Sequence, residues 1–123
     1  MSITTAQIIT EIRRLAAEKP DFVYHKPVAD GIERNWCANF TYGENGEKVG
    51  SCLVGQALLN CGVNLSAGEQ YKSFGSLIHK VGWTHSFEEY DWISSVQYRQ
   101  DVGDTWGTAV AQADKRFEEL ALV

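Results

Sequence analysis

Between residues 50 and 65 the chain reads Gly50-Ser51-Cys52-Leu53-Val54-Gly55-Gln56-Ala57-Leu58-Leu59-Asn60-Cys61-Gly62-Val63-Asn64-Leu65, and the spacing of its apolar residues changes there from that of a strand to that of a helix. Ahead of this stretch, Trp36, Ala38, Phe40 and Tyr42 alternate with Cys37, Asn39 and Thr41, as residues on the two sides of a strand do. Glu44-Asn45-Gly46-Glu47 then supplies an Asn-Gly pair that tolerates positive φ at both central turn positions. It predicts a hairpin returning through Lys48-Val49-Gly50. The apolar run after Cys52 predicts a short buried helix, and Gly62 is placed to end it in the left-handed conformation. A hairpin feeding directly into an apolar helix is the expected centre of the fold.

The rest of the chain reads as helices around that unit. Thr4 or Thr5 caps a helix to about Glu18 with Ile8, Ile9, Ile12, Leu15 and Ala16 on one face, and Pro20 stops it. Phe22-Val23-Tyr24 reads as a short extended piece and Asp30-Gly31 as a turn. Ser66 or Ala67 opens a helix with Tyr71, Phe74, Leu77, Ile78 and Val81 inward, although Gly68 and Gly75 weaken it. Ser86 with Glu89 forms a capping box for a helix through Tyr90, Ile93, Val96 and Tyr98. Gly103 makes a sharp joint, and Asp104 caps a last helix with Trp106, Val110, Ala113, Phe117 and Leu120 as its stripe. The expected class is α+β: one domain over residues 1–123, with a small antiparallel hairpin or sheet covered on one face by four to five helices. Trp36, Phe40, Leu58 and Phe117 are its expected core, and the rings of Trp36, Phe40 and Tyr42 are what the helices should cover.

A chain of 123 residues with two prolines and 44% apolar residues suits a single folded domain with its own core. Its formal charge of −5 repels phosphate backbones and anionic membrane surfaces, so nucleic acid is a poor default partner. No run approaches the roughly 20 apolar residues that span a bilayer, and the first residues have no basic flank followed by an apolar stretch. A cytoplasmic location is the expectation, and three irregularly spaced cysteines, Cys37, Cys52 and Cys61, suit reduced thiols. The sequons at Asn39 and Asn64 are then chance matches.

Several residues carry candidate chemistry. A thiol at the start of a helix faces unpaired amides and the positive end of the helix dipole, so Cys52 is a candidate nucleophile with His79 or His85 as base. The competing reading is a packed core cysteine beside Leu53 and Val54, and it is preferred. Cys37, Cys52, Cys61, His25, His79 and His85 contain no closely spaced ligand pair, so neither a metal nor a cofactor is implied. A helix-turn-helix can be drawn from Val54 through Val81, but its second helix offers only Lys72 and Lys80 as cations. Gln97, Gln100, Asp101 and Trp106 surround the Gly103 joint and could line a shallow ligand site, the alternative being a tight helix contact at Gly107.

Cys52-Leu53-Val54 with Gly62-Val63-Asn64-Leu65 is similar to the nucleophile helix of NlpC-type cysteine peptidases, but the histidine on a following strand is missing. Ser51-Cys52-Leu53-Val54-Gly55-Gln56-Ala57-Leu58, taken with Gln100-Asp101-Val102-Gly103-Asp104-Thr105-Trp106-Gly107-Thr108-Ala109-Val110, resembles paired blocks in small uncharacterised proteins of actinobacteria and their bacteriophages. That resemblance covers about half the chain and implies a source, a phage or actinobacterial accessory gene, rather than a mechanism. For a phage product of this size it implies binding to a host protein. The leading expectation is thus a non-enzymatic, cytoplasmic interaction module. Its site would be Trp83, Tyr90 and Trp92 around the acidic run Glu88, Glu89 and Asp91, which would select a protein partner with a basic surface.

Overall fold

The computed structural model describes residues 3–25, 28–29, 32–33, 38–80 and 87–121. Trp36, Cys37, Val81, Trp83, His85 and Ser86, for which roles are expected from the sequence, lie outside the described residues, as does the Asp30-Gly31 turn. Over the described residues the fold is α+β, with antiparallel hairpins and five α-helices.

Thr4 opens α1 (Thr5–Glu18) with a reciprocal capping box, its side chain accepting from Gln7 N–H and the Gln7 side chain accepting from Thr4 N–H. Ile8, Ile12, Leu15 and Ala16 fall on the buried face, spaced at three- and four-residue steps as the 3.6-residue period requires. Burying each isoleucine or leucine of this face contributes roughly 1.5–3 kcal/mol. After α1 come two short strands that the sequence reading missed, β1 (Val28–Ala29) and β2 (Ile32–Glu33), paired antiparallel.

The main hairpin joins β3 (Phe40–Tyr42) to β4 (Lys48–Gly50), with Phe40 opposite Gly50 and Tyr42 opposite Lys48. Its turn is not the expected two-residue Asn-Gly type. Gly46 N–H donates to Gly43 O at 3.0 Å, which makes Glu44 and Asn45 the central residues and leaves Gly46 after them at φ 78°. Gly43 N–H then donates to Glu47 O at 2.8 Å, giving a longer loop with a glycine bulge.

Three residues after the hairpin, α2 (Leu53–Asn60) begins and packs against β4 and α1. It ends as its sequence predicts: Gly62 adopts φ 91°, Gly62 N–H donates to Leu59 O and Val63 N–H to Leu58 O, both at 3.0 Å. Its contact with the hairpin is so close that a Cβ on Gly55 would lie 2.1 Å from Asn39 O.

The long helix expected from Ser66 to Val81 is broken. A 3-10 turn (Ala67–Glu69), the four-residue α3 (Phe74–Leu77) and a second 3-10 turn (Ile78–Lys80) replace it. The cause is Asn39. Its Nδ2 donates to Glu69 O at 3.0 Å and Lys72 O at 2.8 Å, and its backbone N–H donates to Gln70 O at 2.7 Å, so these carbonyls serve β3 instead of a helix. The recognition helix of a helix-turn-helix is therefore not formed there.

The last two helices, α4 (Phe87–Asp101) and α5 (Trp106–Ala121), pack on each other and on α1. Gly103 joins them at φ 105°, its N–H donating to Gln100 O at 3.1 Å while Asp104 N–H reaches Arg99 O at 3.0 Å, the same device that closes α2. Thr105, not Asp104, caps α5: its Oγ1 accepts from Thr108 N–H at 3.1 Å, whereas Asp104 faces Arg99 at 3.7 Å. Ala109 and Ala113 are buried and Val110 and Phe117 partly so, while the side chain of Leu120 lies outside the described part. Helix burial is thus mostly against other helices. Phe40 and Leu58 are in the core, but Tyr42, at the turn end of β3, is half exposed rather than covered.

Candidate functional site

Cys52 is 0% exposed and occupies the N-cap of α2, one position before its first turn. Its sulfur accepts from Gly55 N–H at 3.3 Å and donates to Asn39 Oδ1 at 3.7 Å, bonds that use the thiol as an Asn or Ser cap would be used. His79 is exposed on the second 3-10 turn and forms no hydrogen bond with Cys52; His85 lies outside the described residues. This arrangement packs a helix end and keeps the sulfur buried. Cys61, half-buried, donates to Gln7 O at 3.7 Å, and burial pushes its thiol pKa up. Among the described residues no three His, Cys, Asp or Glu side chains come together to hold a metal ion.

The expected ligand site at the Gly103 joint is a set of internal fasteners. Gln100 is 1% exposed and its Oε1 accepts from Leu53 N–H at 2.7 Å; Gln97, also buried, accepts from Phe74 N–H at 3.1 Å. Trp106 is buried against Phe22 with ring centroids 4.6 Å apart, and its indole N–H has no hydrogen-bond partner among the described residues. The backbone carries that junction. Trp106 N–H donates to Phe22 O and Gly107 N–H to Pro20 O, both at 2.9 Å, and a Cβ on Gly107 would come 2.9 Å from Pro20 O. The tight contact anticipated at Gly107 is therefore between α5 and the segment after α1.

The acidic run is likewise drawn into the fold. Trp92, expected on the surface, is 4% exposed, because Ile93, Val96 and Gln100 set the inward face of α4 and Trp92 lies beside them. Its Nε1 donates to Asp114 Oδ1 at 3.0 Å while the Arg13 guanidinium lies 4.8 Å from its ring centroid and bonds the same carboxylate through both nitrogens, at 2.7 and 2.9 Å. The Arg13 hydrogen bonds, helped by Trp92, hold the Asp114 carboxyl below its ordinary pKa against the opposing effect of burial. Glu89 accepts from Thr5 Oγ1 at 3.0 Å, Asp91 pairs with Arg116 at 3.2 Å, and Glu88 stays exposed.

What remains on the outside of α4 is a different strip from the one expected. Phe87, Asp91, Ser94 and Tyr98 follow one another at three- and four-residue steps along about 16 Å of helix. Phe87 is 79% and Tyr98 63% exposed, and Val102 continues the strip at the joint. Tyr98 had been expected inward with Ile93 and Val96, but it follows Val96 by two positions and so projects from the opposite side of the helix. Counting that phase from Ile93 was the signal that could have found it.

Cavities flank this strip. One of about 480 Å³ lies between α4 and α5, lined by the Asp91–Arg116 ion pair and by Arg99 and Lys115 among others. Another of about 290 Å³ lies between α4 and residues 71–75, lined by Tyr71, Tyr90, Tyr98, Gln97 and Asp101 among others. A third, of about 340 Å³, extends beside Phe87, Tyr90, Ile78 and Gly75. Tyr90 is the fixed wall shared by the last two. Its ring lies 5.9 Å from that of Phe74, and its hydroxyl lies over Gly75, where a Cβ would approach within 2.7 Å.

No family model, curated protein or solved structure matches this chain. No helix among the described residues is long and apolar enough to cross a membrane.

Proposed function

We propose that this chain is a non-enzymatic protein-interaction module that binds its partner through the outer face of α4. The observation that carries the reading is the outer strip of α4 that bears the exposed rings of Phe87 and Tyr98, bordered by cavities on both sides. Large rings bury much area at low conformational cost and dominate binding hot spots, so exposed rings beside cavities are suited to anchor a partner. The other candidates lose support: Cys52 is sealed, and Gln97, Gln100 and Trp92 hold the fold together. An actinobacterial or bacteriophage accessory protein acting on a host protein in the cytoplasm is the setting we propose, on the strength of the two sequence blocks around Cys52 and Trp106.

Capture from a lysate of cells that carry the gene tests the reading, using tagged wild type and the double variant F87A/Y98A. Both rings are exposed, so the variant should unfold within about 0.5 kcal/mol of wild type. A protein retained by wild type and lost by F87A/Y98A supports the module. Equal capture by both, or capture of nothing by either, overturns it.

A further inference from the structure

We infer that Asn45 is a self-modifying site, where the asparagine side chain cyclises onto the backbone nitrogen of Gly46 and is converted to a mixture of aspartate and isoaspartate. The site lies at the tip of the β3–β4 hairpin and shares no residue with the outer strip of α4, so it stands apart from the interaction reading. Asn45 alone among the asparagines of the chain precedes a glycine; the others precede Trp36, Phe40, Cys61 and Leu65. A five-membered imide closes when the amide nitrogen of the following residue reaches the asparagine Cγ, and a side chain on that residue hinders the approach. Gly46 has none. A Cβ built on it would meet nothing within 4 Å, so no neighbouring group crowds the closing ring. Asn45 itself is exposed, and its carboxamide has no hydrogen-bond partner among the described residues.

The other described asparagines are each held back. Asn39 is 0% exposed, with Nδ2 donating to Glu69 O and Lys72 O and Oδ1 accepting from Cys52. Asn60 is exposed, but the nitrogen that would attack it, that of Cys61, donates to Ala57 O at 3.0 Å in the last turn of α2. Asn64 precedes Leu65, whose side chain is fully buried in the core and pins the backbone. At Asn45 only one bond opposes the attack, from Gly46 N–H to Gly43 O at 3.0 Å, and bonds at exposed loop tips open at little cost.

Once that bond opens, a solvent base takes the Gly46 amide proton and the nitrogen pair forms a bond to Cγ. The Cγ–Nδ2 bond breaks, and the nitrogen leaves as ammonia with the returned proton. Water then opens the imide at either carbonyl. Breaking the new N–Cγ bond restores the main chain and leaves aspartate, whereas breaking the original peptide bond leaves isoaspartate, linked through its side chain. One water is consumed, one ammonia is released, and nothing is oxidised or reduced. Either product sets a third carboxylate between Glu44 and Glu47 and makes the formal charge of −5 one unit more negative. Isoaspartate also adds a main-chain carbon between the Asn45 N–H, which Glu47 Oε2 accepts at 3.0 Å, and the Gly46 N–H, so the loop bonds no longer fit together.

The test is incubation of the native full chain in heavy-oxygen water at mildly alkaline pH and physiological temperature. Peptide mass spectrometry reads each asparagine, and an isoaspartyl methyltransferase marks the isoaspartyl product. Conversion at Asn45 should be about tenfold or more faster than at Asn39, Asn60 or Asn64, and within about tenfold of its rate in the same chain unfolded in urea. Both isomers should appear, each with one oxygen from the solvent. N45Q, which would need a larger ring, should stay unmodified at that position. No conversion at Asn45 in the native chain, equal conversion at Asn60 or Asn64, or aspartate without isoaspartate would overturn the inference, the last by showing direct hydrolysis with no imide. F87A/Y98A should convert at the wild-type rate, so neither this result nor the capture experiment decides the other.

Discussion

The side-chain carbonyl of Gln100, in the last turn of α4, accepts the backbone N–H of Leu53 at 2.7 Å and so completes the first amide of a helix 47 positions earlier in the chain. Gln97, one turn before it, does the same for Phe74 N–H, the first amide of α3. Helix N-termini leave amides without intrahelical partners, and these two lie where water cannot serve them. α4 therefore works as a shared cap for two other helices as well as a wall of the core.

Removing that cap should be costly. Q100A leaves a buried N–H without an acceptor and opens space around it, which should lower stability by about 2–3 kcal/mol. Urea denaturation followed by circular dichroism measures it, and a loss below about 0.5 kcal/mol would show that Leu53 N–H finds another acceptor.

The glycines should separate into intolerant and tolerant positions. In G55A the new methyl meets Asn39 O at 2.1 Å and must push α2 off the hairpin, so a loss of about 3 kcal/mol or failure to fold is expected. G107A meets Pro20 O at 2.9 Å and should cost less, about 1–2 kcal/mol. G68A has nothing nearer than Ser66 Oγ at 4.0 Å and should stay within about 0.5 kcal/mol of wild type. Thermal unfolding of the three variants gives the order directly.

Acid should weaken the 66–80 segment in a defined window. Glu69 is paired with Lys80 at 2.8 Å and accepts from Ser66 N–H and Oγ at 2.8 and 2.9 Å, and these bonds hold its pKa down to about 2. Because the folded value lies below that of the unfolded chain, near 4.3, the stabilisation is complete above about pH 5 and disappears as pH falls toward 2. E69Q should be less stable than wild type at pH 7 and should lose less on acidification over that range. Parallel pH-dependent unfolding curves for the two proteins would contradict this assignment.

The described cysteines should differ sharply in reactivity. Native protein treated with iodoacetamide should be alkylated at Cys61 and protected at Cys52, as read by site-resolved peptide mass spectrometry. Reaction at Cys61 should need a more alkaline pH than an ordinary thiol, because burial disfavours its thiolate. Labelling of Cys52 at neutral pH without unfolding would reopen the case for chemistry at that sulfur.

Much of the local architecture was legible without coordinates. The start of α1, the return of the hairpin through Lys48-Val49-Gly50, and the ends of α2 and α4 at Gly62 and Gly103 all depend on contacts within a few positions and on φ values that glycine adopts without steric cost. The functional surface was less legible. Residue type alone points to Trp92, although the phase set by Ile93 and Val96 turns it inward and turns Phe87 and Tyr98 out.

By itself, then, the sequence determined the α+β class, the hairpin-to-helix centre and the helix ends marked by Thr4, Gly62 and Gly103, since these follow from backbone preferences and nearest-turn hydrogen bonds. Only the tertiary structure decided that residues 66–80 break into short turns and that Gln97 and Gln100 are caps. It also decided that Tyr71, Tyr90 and Tyr98, from two segments, line one cavity. The reason is distance along the chain: the amide of Asn39 reaches carbonyls 30 and 33 positions away, and Trp92 reaches a carboxylate 22 positions on. Whether such polar groups meet is set by how the helices pack, and no local pattern of residues encodes it.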